Sequence, residues 1–526
     1  MTGKYRLMQF VSGVKQKIPK ITAFAILAPI LAILALSAWA VASPVGASPD
    51  DDYHLASIWC ATNEDTNLCH LTSEGDQRSV PNALLAAPCY AFDSTQSAEC
   101  QGDTLDTDDT FIASDRGNFS GAYPPAYYLT MNLFAGANFE LSAVVMRLVN
   151  VLLFVALTSA LYALLPLNRR PTLVWAWAIS LVPLGMFLVA SNNPSAWAII
   201  SAGTLWLALL GFFETTGARR VALACLAVIA TLMGAGARAD AAIYAVIAIT
   251  VVTLLTARWE RRWILSAILP AALIVTAIAF YLSTGQSTLV SSGLNSTSSD
   301  GVEPSAAGLI LHNLLNVPVL WVGVFGNWGL GWLDTLMPAV VWVAGLGCFA
   351  AVAFAGLASQ SIRKLLAVFM VLGAVWIIPT FVLVQSNVAV GSEVQPRYLL
   401  PLIVLLGGVA LLHAGGPRLA LSKAQAFGVV GALSVANSLA LHYNLRRYVT
   451  GAEVNGLNLD ANREWWWDVP VGPQAVWIMG SLAFAALLVI LAGGITRRSR
   501  RGGRGPHSRA GVENPDRHDS TRAVRQ

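Results

Sequence analysis

The residues best equipped for chemistry stand at the ends of long apolar runs. Asp50, Asp51, Asp52, Tyr53 and His54 follow the first such run directly. Arg238 and Asp240 sit at the junction of two runs, and Glu393, Arg397 and Tyr398 open another. Charged groups at a membrane boundary are costly and mark function by default. Arginine presents a fork of donors matched to phosphate. A carboxylate can take the proton of a hydroxyl or hold a divalent cation. Together these groups suit a reaction in which a lipid-borne phosphate leaves and a hydroxyl attacks. A polyprenyl-phosphate sugar would be such a donor, its tail in the bilayer and its phosphate near Arg238 and Arg397. The plainer readings are a mutual Arg238–Asp240 pair at the surface and an Arg397 that snorkels toward head groups.

The elements that must position these residues are membrane helices. The chain has 526 residues, 56% of them apolar and only 12% charged, with mean hydropathy +0.60. Soluble chains carry about 25% charged residues, so the composition excludes an ordinary soluble domain as well as a disordered or collagenous chain. A span needs about 20 apolar residues. Suitable runs lie near 21–42, 140–165, 172–190, 194–213, 219–237, 239–257, 262–283, 336–357, 364–384, 397–413, 420–441 and 475–495. The expected class is therefore an all-α polytopic membrane protein with about 12 transmembrane helices, within a range of roughly 11 to 13. The membrane domain would cover 21–495, between a basic stretch at 1–20 and a disordered basic tail at 496–526.

Lys and Arg fall in alternate loops, which puts both termini in the cytoplasm and the chain in a bacterial plasma membrane. This parity holds only if 307–333, interrupted by Pro318 and several glycines, is re-entrant or interfacial rather than a single crossing. It would be the one broken segment, lining a cavity and ending at Asp334. The loop 43–139 would then be extracytoplasmic. It is acidic, opposed only by Arg78 and Arg116, and holds Cys60, Cys69, Cys89 and Cys100. Four cysteines in an oxidising compartment suggest two disulfides, with three pairings possible. The sequential pairing closes the shortest loops and is preferred. Trp465, Trp466 and Trp467 could stack on sugar rings, although tryptophan belts at membrane interfaces explain most such residues. No phosphate-binding glycine loop, dinucleotide motif or metalloprotease motif is present.

Four motifs, in order, are similar to those of the bacterial membrane family called domain of unknown function 2142. Pro49-Asp50-Asp51-Asp52-Tyr53-His54 resembles its Pro-Asp-Glu-Pro-x-His element, and Tyr123-Pro124-Pro125-Ala126-Tyr127-Tyr128 its Tyr-Pro-Pro-x-x-Tyr element. Gly331-Trp332-Leu333-Asp334-Thr335 and Gln395-Pro396-Arg397-Tyr398-Leu399-Leu400-Pro401 resemble two more. Asp51 stands in place of Glu, Asp52 of Pro and Pro396 of Gly, while Ser195 stands where relatives often carry Asp. The layout also resembles the GT-C glycosyltransferase superfamily, whose members use polyprenyl-phosphate donors. The resemblance implies that Asp50 is the base, with Asp51 and His54 beside it. It also implies that Arg397, with Arg238 and Tyr398, binds the donor phosphate. Asp240, Asp334, Glu393, Tyr123 and Tyr128 would support them.

The leading expectation is thus a GT-C-type glycosyltransferase. It would move a sugar from a polyprenyl phosphate to an envelope glycan or lipid acceptor, with a divalent cation as an optional cofactor. Its partners would be the bilayer, the lipid-linked sugar and the acceptor, not nucleic acid. A transporter or flippase for an envelope lipid or polymer is the second expectation, and a non-catalytic membrane scaffold the third.

Overall fold

The computed structural model describes residues 23–62, 64–106, 110–285, 306–414 and 421–502. The basic stretch at 1–20 and the tail beyond 502 lie outside the described residues. The last helix, Pro473–Gly502, runs past position 496, where the disordered tail was expected to begin. Arginine is a good helix former, and this stretch continues the turn already started.

At the centre stands the helix Ser195–Glu214, where every residue from Ser195 to Phe212 is buried. A helix apolar on all sides must be surrounded. Here the neighbours are Phe139–Leu164, Gly217–Ala235, Ala239–Thr256 and Pro396–Ala410. Peripheral helices do the reverse and expose apolar side chains, such as Ile268, Val275, Phe369 and Ile377. Water would not tolerate so large an apolar belt, whereas hydrocarbon does.

Ten helices among the described residues are long and apolar enough to cross a membrane, and Ile26–Val41 and Pro396–Ala410 are shorter apolar helices. Of the twelve expected runs, the one near 172–190 is split into Arg170–Ser180 and Leu184–Val189 around Pro183. A second interrupted helix is a correction to the single one expected. The tenth long helix, Ala306–Val324, lies in the segment expected to be irregular. It is interrupted at Val317, where the pieces Ala306–Asn316 and Pro318–Val324 meet, and Pro318 opens the second piece because proline is tolerated at the first position of a helical turn. Asn313 of this helix exchanges hydrogen bonds with Val388 and Val390 at 2.9 Å each. Beyond Val324 the chain turns through Gly326, Gly329 and Gly331, all with positive φ. At Gly331 a side chain would meet the Tyr448 hydroxyl, 2.6 Å from the Cβ position.

Residues 42–138 form a compact cap on one end of the bundle, hereafter the loop face. Its disulfides are Cys60–Cys69 and Cys89–Cys100, the sequential pairing. A three-stranded antiparallel sheet is formed by His70–Leu71 and Arg78–Pro81, between the two disulfides in chain order, and Phe111–Ser114, after both, with Ser79 opposite both His70 and Ala113.

How the first helix, Ala23–Val41, ends decides where the chemistry-bearing residues lie. Its last carbonyls have no intrahelical partners. Arg147, buried in Phe139–Leu164, donates to the carbonyls of Ala40 at 3.0 Å, Ser43 at 2.5 Å and Pro44 at 2.6 Å. Asn444 donates to Ala42 O at 3.0 Å and Trp467 Nε1 to Val41 O at 2.8 Å. Two separate helices and the stretch between the last two helices thereby hold the exit path. Ser48 closes it, donating through both its backbone N–H and its hydroxyl to the Asp51 carboxylate. Asp51 is completely buried. Burial raises its pKa to about 6, against the lowering effect of Ser48 and Arg147.

Two expectations concern stability. Arg147→Ala leaves three buried carbonyls without donors and should cost about 3 kcal/mol, read as a lowered unfolding temperature in detergent. Arg258→Ala, at an exposed position, should not shift it. The Asp51 carboxyl has a folded pKa above its unfolded value, so its favourable contribution is complete below about pH 4 and is lost as pH rises through about 6. Relative to the native chain, Asp51→Asn should therefore gain stability between pH 4 and about 7. A difference in unfolding temperature that stays flat over that window would contradict the buried, raised carboxyl.

Candidate functional site

The clamped exit path delivers Asp50 to the loop face in a constrained conformation. Asp50 precedes the helix Asp51–Trp59 with φ 59° and ψ 26°, in the left-handed region. Aspartate visits that region more readily than most residues, at a cost of order 1 kcal/mol. Backbone strain of this kind persists only where the surroundings over-determine it. Here Pro49 O accepts from Asn193 Nδ2 at 2.8 Å and from Arg397 Nη1 at 3.0 Å. The loop between Leu184–Val189 and Ser195–Glu214, and the start of Pro396–Ala410, thus pin the residue just before Asp50.

Arg397 then turns its other nitrogen to the carboxylate. Nη2 lies 2.5 Å from Asp50 Oδ2 and 3.0 Å from the Tyr398 hydroxyl. The guanidinium carbon stands 5.0 Å over the Tyr398 ring, and that of Arg238 stands 4.9 Å over the same ring. Arg238 also lies 5.6 Å over Tyr123 and makes a two-pronged pair with Asp240, at 2.9 Å on each prong. Two arginines therefore share one tyrosine ring, each within cation–π reach of its centroid. Arg116 completes the group, gripping Asp52 at 2.7 and 3.1 Å and reaching Asp50 Oδ1 at 3.6 Å.

Three arginines are thus matched by three acids, Arg397 with Asp50, Arg238 with Asp240 and Arg116 with Asp52. Exposure separates them. The Arg397 side chain is 3% exposed and Asp50 is 39% exposed, against 21% for Asp52 and 25% for Asp240. Burial works to raise the Asp50 carboxyl, but the charge of Arg397, aided by Arg116, outweighs it and holds the group below the usual carboxylate range.

His54 lies behind the acids in an aromatic box. Its Nδ1 is 2.9 Å from the Tyr128 hydroxyl, and the rings of Tyr53 and Tyr123 meet it edge-on at 5.5 Å. Burial lowers its pKa to about 3, so the imidazole is neutral, and Nε2 has no partner among the described residues. Other buried polar atoms near the cluster also lack partners among the described residues: both amide atoms of Asn192, Ser195 Oγ, Gln395 Oε1 and Arg397 Nε. Buried polar groups are almost always paired, so such a concentration calls for water or ligand.

The structure brings Asp50, His54, Tyr123, Tyr128, Arg238, Asp240, Arg397 and Tyr398 into one constellation. It leaves three expected residues elsewhere. Asp51 faces Ser48 rather than the cluster. Asp334 pairs at 2.8 Å with Arg447, which also donates to the carbonyls of Tyr90 and Gln96 and so ties the glycine turns to the cap. Glu393 is exposed on the approach to Arg397. Arg116, which sequence reasoning passed over as a loop charge, belongs to the site. Its isolation among acids was the available signal. No group of three or more His, Cys, Asp or Glu residues that could hold a metal ion occurs among the described residues. The positive charge beside Asp50 comes from arginine.

A family model described as a predicted membrane protein, DUF2142, matches residues 33–406. No curated protein and no solved structure gives a significant match. The matched span begins within the first helix, takes in the cap and the central helix, and ends beyond Arg397, so it contains the whole constellation. The chain belongs to the DUF2142 family of predicted membrane proteins.

Proposed function

We propose that the protein is a membrane glycosyltransferase of the GT-C type. It would transfer a sugar from a polyprenyl-phosphate donor to an extracytoplasmic cell-envelope acceptor. The observation that carries this reading is the Asp50–Arg397–Tyr398–Arg238 array, an acid and two arginines at the bundle end that holds the cap. Placing the loop face outward in a bacterial plasma membrane, with both termini in the cytoplasm, follows from the distribution of Lys and Arg. It requires Ala306–Val324 to enter and leave by the loop face. Gly323 beside Pro396 and Trp332 Nε1 donating to Gly46 O at 2.9 Å support that course.

The resting array suggests how donor and base are coupled. A phosphate arriving at Arg397 and Arg238 competes with the acids that hold them. Asp50 is the most exposed of those acids, and it is displaced with least reorganisation. The donor thereby releases the carboxylate that the acceptor needs. The acceptor hydroxyl oxygen then attacks the anomeric carbon from the face opposite the phosphate, and the bond from that carbon to the phosphate oxygen breaks. The phosphate keeps the bonding electrons, stabilised by the two guanidinium groups. The hydroxyl proton passes to Asp50, and configuration at the anomeric carbon is inverted. Neutral His54 and the tyrosines hold the shape of the pocket floor.

General bases contribute about 10²- to 10⁴-fold. Asp50→Asn should lower transfer by at least about 10²-fold while the protein still inserts and unfolds at its usual temperature. Arg397→Ala should lower it by a comparable factor and weaken binding of the isolated polyprenyl phosphate. Full transfer in both Asp50→Asn and Asp51→Asn would overturn the assignment. Mass spectrometry of lipid-linked sugars and envelope glycans from a deletion strain should show the donor accumulating and one glycan linkage missing.

The two interrupted helices favour a second reading, a transporter or flippase. They meet where a Cβ on Gly326 would lie 3.0 Å from Pro183 Cγ, and broken helices in contact are a transporter device. Purified protein in detergent separates the two. A transferase forms product in micelles, whereas a transporter has no second side to reach and leaves the sugar on its lipid.

A further inference from the structure

A cavity of about 850 Å³ opens between the cap and the stretch that joins the last two helices, and no residue of the Asp50 constellation lines it. Its walls include Trp465, Trp466, Gln101, Glu99, Glu464 and Asn138. The volume falls within the range of small-molecule sites. The wall is fixed before any ligand arrives. The backbone N–H groups of Glu464 and Trp465 both donate to Val449 O, at 3.0 and 3.1 Å. Trp466 Nε1 donates to Val471 O at 2.8 Å, and Trp467 next to it is tied to the first helix through Val41 O.

The chemistry of the wall is one-sided. The indole N–H of Trp466 is already used, so the half-buried ring offers its face rather than a donor. Gln101, 1% exposed, spends its amide on the carbonyls of Val45 and Ala87 at 2.6 Å each. Its Oε1 is sealed beneath the wall, without a partner among the described residues. Glu99 and Glu464 add carboxylates, which accept when ionised. Asn138 spends its Oδ1 on Leu141 N at 2.8 Å. The lining is thus aromatic and rich in acceptors. A phosphate or other anion would be repelled by the two carboxylates, which sets this cavity apart from the arginine array. A ligand with many hydroxyl donors and flat C–H faces complements both properties.

We propose that this cavity is a binding site for a neutral saccharide. A sugar ring lies on the face of Trp466 and donates hydroxyl hydrogens to the Glu99 and Glu464 carboxylates. That the bound chain is the acceptor of the transfer rests on the function proposed above. The binding itself does not.

The test uses the full-length protein in nanodiscs, with neutral cello-, manno- and galacto-hexasaccharides as probes and titration by calorimetry and tryptophan fluorescence. At least one hexasaccharide should bind saturably, with equal affinity in the native chain and in Asp50→Asn. Trp466→Ala should weaken binding about tenfold, and Glu464→Gln, at an exposed position that the fold does not depend on, should weaken it measurably. The proposal is overturned if none of the three hexasaccharides binds, if both variants bind as the native chain does, or if polyprenyl phosphate competes for the site. Loss of transfer in Asp50→Asn alongside no saccharide binding would sink this site and leave the transferase standing. Binding that persists in a protein with no transferase activity would do the opposite.

Discussion

Everything at the loop face depends on how one buried helix end is closed. Inside a bilayer no water is at hand for the carbonyls that a helix leaves unpaired, so side chains from elsewhere must meet them. Arg147, Asn444 and Trp467 do so at the end of Ala23–Val41. Because they come from different parts of the chain, the direction in which residues 42–50 leave the bundle is set by the bundle itself. Pro49 is then held by Asn193 and Arg397, and Asp50 has no freedom left except at its carboxylate. The left-handed backbone at Asp50 is the visible cost of that confinement.

The same confinement turns three ordinary ion pairs into an ordered set. In water an exposed arginine and carboxylate gain little from one another. Here each guanidinium is pressed against tyrosine rings and at least partly shielded, so the acids differ mainly in how far water reaches them. A site whose charges are balanced at rest carries no standing excess to attract every passing anion. In the proposed mechanism it would discriminate by asking an anion to replace a specific carboxylate.

Most of the helices were legible in the sequence because a bilayer demands long apolar runs. The residues of the constellation stood out because charge is scarce there. What stayed hidden has physical causes. Asp50 and Asp51 look alike as letters, yet Asp50 stands outside the helix in the left-handed region while Asp51 begins its first turn, so their side chains leave in different directions. One faces the arginines while the other is buried against Ser48. Arg116 meets Asp52 across 64 residues of chain, a pairing that no local pattern encodes. The split at Pro183 was masked because the run remains apolar on both sides. Pro318 interrupts its segment as its type suggests, yet the helix resumes at once, since the first position of a new turn needs no N–H. The strands of the cap are two to four residues long, too short for alternation to register.

The helix that carries Arg397 has a consequence of its own. Pro396–Ala410 is 15 residues long, a rise of about 22 Å, whereas the hydrocarbon layer is about 30 Å thick. Its neighbour Ile362–Gln385 has 24 residues and rises about 36 Å. The loop face is therefore not level. Around Arg397 it sinks between longer helices, making a basin whose floor lies below the rim. A tailed lipid can reach that floor sideways from the acyl layer, while a water-borne chain must descend from above past the cap. In the proposed transfer, the short helix would keep the two routes apart until they meet at Asp50.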